Sequence, residues 1–136
     1  MTPGTSTAPT ASTGPMAAQA GGKTEIQWLG QATTRITTPG GKVIVIDPWV
    51  TSNPKTPAQY KTLESLGKVD LVLVTHGHFD HFADAPALAK LNKVPVYGPA
   101  GLMQSVVALG ILPGDQVVRF GKMPSATTDC IRPAGP

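Results

Sequence analysis

The stretch Asp70-Leu71-Val72-Leu73-Val74-Thr75-His76-Gly77-His78-Phe79-Asp80-His81 holds every histidine of the chain in its last six residues. Its first half is apolar at Leu71, Val72, Leu73 and Val74, and such a continuous run suits a strand buried on both faces of a layered sheet. Side chains two apart on extended backbone point the same way, so His76 and His78 leave the strand end on one face. Gly77 between them lets the backbone pass close to a bound group. Asp80 and His81 fall on the turn toward the next helix, where the chain wraps round the same point. Imidazole nitrogens and a carboxylate oxygen are ligands for zinc, manganese or iron. The alternative, side chains decorating a polar loop, suits one histidine better than three histidines and an aspartate gathered in one loop.

Outward from this stretch, strand and helix signals alternate. Residues 25–29 and 33–37 have the alternation of short strands, with Gly30 as a break between them. Pro39-Gly40-Gly41 is a turn, and Val43 to Ile46 follows as a buried strand ending at Asp47. A loop carries Trp49 and Asn53-Pro54. Thr56-Pro57-Ala58-Gln59 has a hydroxyl cap, proline at the first helical position and Gln59 placed to close a capping box, so a helix is expected from there to about Gly67. C-terminal to the histidines, a helix over 84–91, a strand over 94–97, a helix over 99–109 capped by Gly110 and a strand over 117–120 complete a β-β-β-α-β-α-β-α-β order. That order belongs to the α/β class.

The ends differ from this core. Residues 1–22 carry no charge and, apart from Met1, Met16 and Gln19, consist of Thr, Ala, Pro, Gly and Ser. Such a leader cannot bury enough apolar surface to offset its ordering entropy and reads as disordered. It lacks the basic and apolar regions of a secretory signal, so a cytoplasmic location is expected in preference to export. Residues 123–136 show no apolar repeat and read as an irregular tail, which leaves a domain over 23–122.

Composition excludes several classes. The chain has 136 residues, 40% of them apolar and 14% charged, room for one domain. No apolar run approaches the roughly 18 residues of a membrane span. The net charge of +3 comes from scattered residues, and only seven aromatics are present, so nucleic acid is a poor partner. Cys130 is the single cysteine and forms no intramolecular disulfide.

His76, His78, Asp80 and His81, set after a buried strand, resemble the HxHxDH signature of the metallo-β-lactamase superfamily. Trp28 to Ala32, the Pro39-Gly40-Gly41 turn and Ile46-Asp47-Pro48-Trp49 are similar to the N-terminal half of its small metal-dependent hydrolases. That branch is related to ascorbate-6-phosphate lactonase and N-acylphosphatidylethanolamine phospholipase D, and the likeness runs over residues 24–122. Gln31 departs from it, because that branch often carries histidine there.

The resemblance implies the N-terminal half of an αββα sandwich and two divalent metal ions, zinc first, with manganese or iron also compatible. His76 and His78 would hold one metal, and Asp80 and His81 the other. Asp80 would also orient a metal-activated water as the catalytic residue; Asp47 would either stand behind the ligands as a supporting acid or simply cap a turn at its strand end. Trp49 and Asn53 would line the mouth of a small-molecule site. The implied reaction is hydrolysis of an ester, lactone, amide or phosphoester.

The superfamily draws further ligands from a second half, and no histidine follows His81 here. Asp115, Asp129 and Cys130 are the remaining donors, without supporting spacing. A truncated or frame-shifted reading frame, weak or inactive alone, is therefore expected. The alternatives are a non-catalytic metal-binding module or a fragment needing a partner, with self-association through a sheet face left exposed.

Overall fold

Valine and isoleucine at 43–46 alternate between buried and half-buried positions, the two-residue period of a strand with one face in a core. A computed structural model describes residues 22–120, and among them six strands form one sheet in chain order. Strands β1 (Glu25–Trp28), β2 (Thr34–Thr37) and β3 (Val43–Ile46) are antiparallel neighbours. Strands β4 (Leu71–Leu73), β5 (Val96–Pro99) and β6 (Val117–Phe120) continue the sheet parallel to β3. Helices α1 (Phe79–Phe82), α2 (Ala85–Asn92) and α3 (Ala100–Ala108) lie in the connections. The α/β class read from the sequence is the one observed.

Register explains the core. Val45, Val72 and Val96 are direct neighbours across β3, β4 and β5, and all three are fully buried. Leu88 of α2 and Met103 and Val106 of α3 join them in one cluster. Gly98 leaves room for the buried Met103 side chain of α3, whose end a Cβ there would meet at 2.8 Å.

The other face carries a second apolar set. Ile26, Ile36, Ile44 and Leu71 form one row across β1 to β4. Trp28, Thr34, Ile46, Leu73, Tyr97 and Val118 form the next, from β1 to β6. None of these belongs to the core cluster, and Ile26 and Trp28 are 70% and 67% exposed. Leu71 and Leu73 are therefore half-buried rather than buried on both faces.

The structure corrects several expected elements. Residues 56–67 form two 3-10 turns, Ala58–Tyr60 and Glu64–Leu66, in place of an α-helix, and no side-chain cap bond forms at the start of either. The apolar residues that pack on the core there are Tyr60, Leu63 and Leu66, spaced by three. That spacing matches the 3.0-residue turn of a 3-10 helix and drifts off an α-helical face. The strand expected at 94–97 begins at Val96, because Val94 N–H donates to Ala89 O at the end of α2 and Pro95 has no N–H to give. The loop expected at 76–82 contains α1. The proposed leader, except Gly22, and the irregular tail lie outside the described residues. Among the described residues no helix is long and apolar enough to cross a membrane.

Candidate functional site

Three segments meet at the carboxyl ends of β3 and β4, the edge at which parallel α/β sheets hold their ligands. Asp47 follows β3 directly, and its N–H still donates to Leu73 O of β4 at 2.9 Å. Its φ of 49° lies in the left-handed region, which aspartate enters more readily than most residues. The buried Thr33 hydroxyl donates to Asp47 O at 2.8 Å and fixes that turn. The side chain thereby turns inward, and only 3% of the residue is exposed.

The Asp47 carboxylate accepts the N–H of Thr75 at Oδ1, 2.7 Å away. At Oδ2 it accepts the Thr75 hydroxyl at 2.7 Å, and His81 Nδ1 lies 2.8 Å from the same oxygen. The Thr75 hydroxyl is also 3.0 Å from His76 Nδ1. His76 Nε2 faces His78 Nδ1 at 3.1 Å, and His81 Nε2 faces Asp80 Oδ2 at 3.7 Å. The His76 and His81 rings lie 3.9 Å apart between centroids, so all three imidazoles share one cluster. Asp80 is reached from a third segment, since Gln31 Nε2 donates to its Oδ2 at 3.0 Å.

In kind, these donors fit a divalent ion: neutral imidazoles and carboxylates are zinc, manganese and iron ligands. In arrangement they come in twos. Two donors on one tetrahedral zinc at its usual bond length sit about 3.3 Å apart, close to the His76–His78 separation of 3.1 Å. Among the described residues no three His, Cys, Asp or Glu side chains gather as the ligands of a single ion. A catalytic zinc ordinarily takes three protein ligands and a water.

The remaining sequence candidates fare differently. Trp49 is half-buried, its ring edge-on to Phe79 at 5.3 Å beside His78 and Asp80. Asn53 is a correction: it is buried at 1% exposure and its Oδ1 accepts the N–H of Lys55 at 2.9 Å, so it anchors a loop and lines no mouth. A Cβ at Gly77 would meet the end of the Leu102 side chain at 3.0 Å, a tight contact that this flexible side chain could relieve. Asp115 sits in the 3-10 turn before β6, at the sheet end opposite the histidines. Asp129 and Cys130 lie outside the described residues.

Two residues of the site escaped the sequence. Thr75 reads only as the end of a strand, where alternation turns its side chain away from that of His76. Asp84 reads only as a helix start. It is buried and accepts Val50 N–H at 2.6 Å, Thr51 N–H at 2.9 Å and the Thr51 hydroxyl at 2.8 Å. That clamp holds the loop bearing Trp49 against the site.

Residues 42–129 match the family model described as a beta-lactamase superfamily domain. Over 115 residues the chain is 61% identical to a UPF0173 metal-dependent hydrolase of Cupriavidus necator, covering 85% of this chain and 39% of that protein. A UPF0173 metal-dependent hydrolase of a Polaromonas species is 62% identical over 106 residues, 78% of this chain and 39% of the relative. Among solved structures, Igni18, a metallo hydrolase from the hyperthermophilic archaeon Ignicoccus hospitalis, is similar with a TM-score of 0.61 at 26% identity. That match covers 78% of this chain and 43% of Igni18. The chain spans about two fifths of the length of these relatives, 39% in both sequence matches.

Proposed function

This chain belongs to the beta-lactamase superfamily domain family and carries part of the metallo-β-lactamase fold, and on that premise we propose that it is the histidine-bearing part of a metal-dependent hydrolase. The substrate is a small molecule cleaved at an ester, lactone, amide or phosphoester bond. His76 and His78 hold one divalent ion and Asp80 and His81 a second, with zinc as first choice. Bound there, such ions supply Lewis acidity and a water acidified toward neutral pH. Asp47 keeps His81 in place, Gln31 donates to Asp80 Oδ2, and Asp80, so held, would orient the water that such ions acidify.

The observation that carries this reading is the clustering of three imidazoles beside Asp80, with His81 bonded directly to the buried Asp47 carboxylate and His76 reached from it through Thr75. A polar loop without a ligand has no need to desolvate an aspartate beneath its histidines. The arrangement in twos favours a further statement. The described residues alone give a metal an incomplete set of ligands and slow turnover, and the rest of the relatives' length supplies what is missing.

The test is bound metal per chain after dialysis, with His76→Ala/His78→Ala alongside, followed by hydrolysis of a generic ester and a phosphodiester with and without chelator. Metal retained by the natural chain and lost in the variant, with chelator-sensitive turnover, is the expected result. Tight metal with no turnover under any complementation would make this a binding module instead. No retained metal would overturn the ligand assignment.

A further inference from the structure

The Thr75 hydroxyl lies within hydrogen-bond reach of both the buried Asp47 carboxylate and His76, and it has a single proton to give. The carboxylate is an acceptor only, so the proton of Thr75 Oγ1 points at Asp47 Oδ2, 2.7 Å away. The oxygen's other polar contact, His76 Nδ1 at 3.0 Å, must then be one in which Thr75 accepts. His76 consequently carries its proton on Nδ1. The same logic applies to His81 directly, since its Nδ1 lies 2.8 Å from Asp47 Oδ2 and can only donate there.

We propose that the Thr75 hydroxyl is a positioning group that passes the hold of Asp47 on to His76, so that one buried carboxylate fixes both His76 and His81 as Nδ1–H tautomers. Both Nε2 atoms then present lone pairs outward, His76 toward His78 and His81 toward Asp80. His78 stands one step further out: with a lone pair on His76 Nε2, the 3.1 Å contact requires His78 Nδ1 to donate in the metal-free chain, a proton it gives up if that nitrogen takes a metal. The consequence for ligation rests on the metal assignment above, whereas the tautomers themselves do not. A ligating histidine whose other nitrogen is fixed by a hydrogen bond avoids a proton rearrangement on binding, and loss of such support ordinarily weakens metal binding by about 10–100-fold.

Long-range proton–nitrogen NMR of the full chain, labelled with nitrogen-15, freed of metal with a chelator and held near pH 8.5, reads the tautomers without any metal. His76 and His81 are expected as Nδ1–H forms in the natural chain. Thr75→Val keeps the shape and removes the hydroxyl, and is expected to release His76 toward the Nε2–H form while leaving His81 unchanged. Thr75→Ser should restore the natural pattern. Zinc affinity measured against a chromophoric chelator should fall about tenfold in Thr75→Val and recover in Thr75→Ser.

A lone pair on His76 Nδ1 in the natural chain overturns the proposal, as does a His76 tautomer that ignores Thr75→Val. Should Thr75→Val fail to fold, Thr75→Ala, which also removes the hydroxyl, takes its place in the same comparison. Expected tautomers in a chain that binds no zinc would uphold the relay and sink the metal assignment, so the two fail separately.

Discussion

Gln31 Nε2 donates to Asp80 Oδ2 at 3.0 Å, joining the β1–β2 turn to the first turn of α1 across 49 residues of chain. Gln31 does this from a left-handed backbone, with φ of 52°. The Trp28 indole N–H donates to Gln31 O at 2.8 Å and pins that conformation. A side-chain-bearing residue in this region costs roughly 1–2 kcal/mol, which glycine escapes.

Comparing two variants isolates that cost. Gln31→Ala and Gln31→Gly both lose the bond to Asp80, but only alanine keeps the strained Cβ. Urea unfolding is expected to find Gln31→Gly more stable than Gln31→Ala by about 1 kcal/mol. Equal stabilities would mean that the turn relaxes and that Gln31 is not held in strain.

Asp84 gives a larger effect through a different cause. Its buried carboxylate accepts from two backbone N–H groups and one hydroxyl of residues 50 and 51. Asp84→Ala leaves those donors without their partner and is expected to cost about 3 kcal/mol in urea unfolding. Asp84→Asn keeps one acceptor oxygen and should cost about half as much. A loss below about 0.5 kcal/mol in the alanine variant would show that water replaces the carboxylate and that the loop is not clamped.

What the sequence disclosed follows a physical division. Val43 to Ile46 was legible because its burial repeats every two residues, a period that needs no information from elsewhere. The histidine cluster was legible because four donors within six residues leave little freedom in where they meet. The segment at 56–67 misled because its capping signals are local, whereas the period-three contacts of Tyr60, Leu63 and Leu66 with the core are tertiary. Thr75, Asp84 and the reach of Gln31 are tertiary as well. Each works through a partner 28 to 49 residues away, and no local pattern encodes that pairing.

The acid side of the stability curve depends on Asp70. Its carboxyl is held below the ordinary value of 3.8 first by the Val43 N–H bond and then by Lys42 and Lys68. A depressed folded value means that its contribution is fully present above pH 3.8 and is lost as pH falls through the lower folded value. Urea unfolding from pH 6 downward should therefore fall more steeply in the natural chain than in Asp70→Asn. Parallel pH profiles would show that the Val43 bond does not discriminate the charged carboxylate from a neutral amide.

Asp47→Asn separates the two duties of that carboxylate. Asparagine tolerates the left-handed φ of 49°, and its oxygen still accepts the Thr75 N–H, so the turn after β3 is expected to survive with a loss of about 1–2 kcal/mol. The amide nitrogen, however, now faces Thr75 Oγ1 and His81 Nδ1 with protons of its own. His81 Nδ1 must then accept, which moves the ring proton to Nε2, the atom assigned to the metal. On that assignment zinc affinity drops about 10–100-fold in Asp47→Asn. Asp47→Ala, which removes every acceptor, should lose more stability than the asparagine variant. Paired urea and zinc titrations read both effects, and natural zinc affinity in a folded Asp47→Asn chain would show that the proton on His81 is set by something other than Asp47.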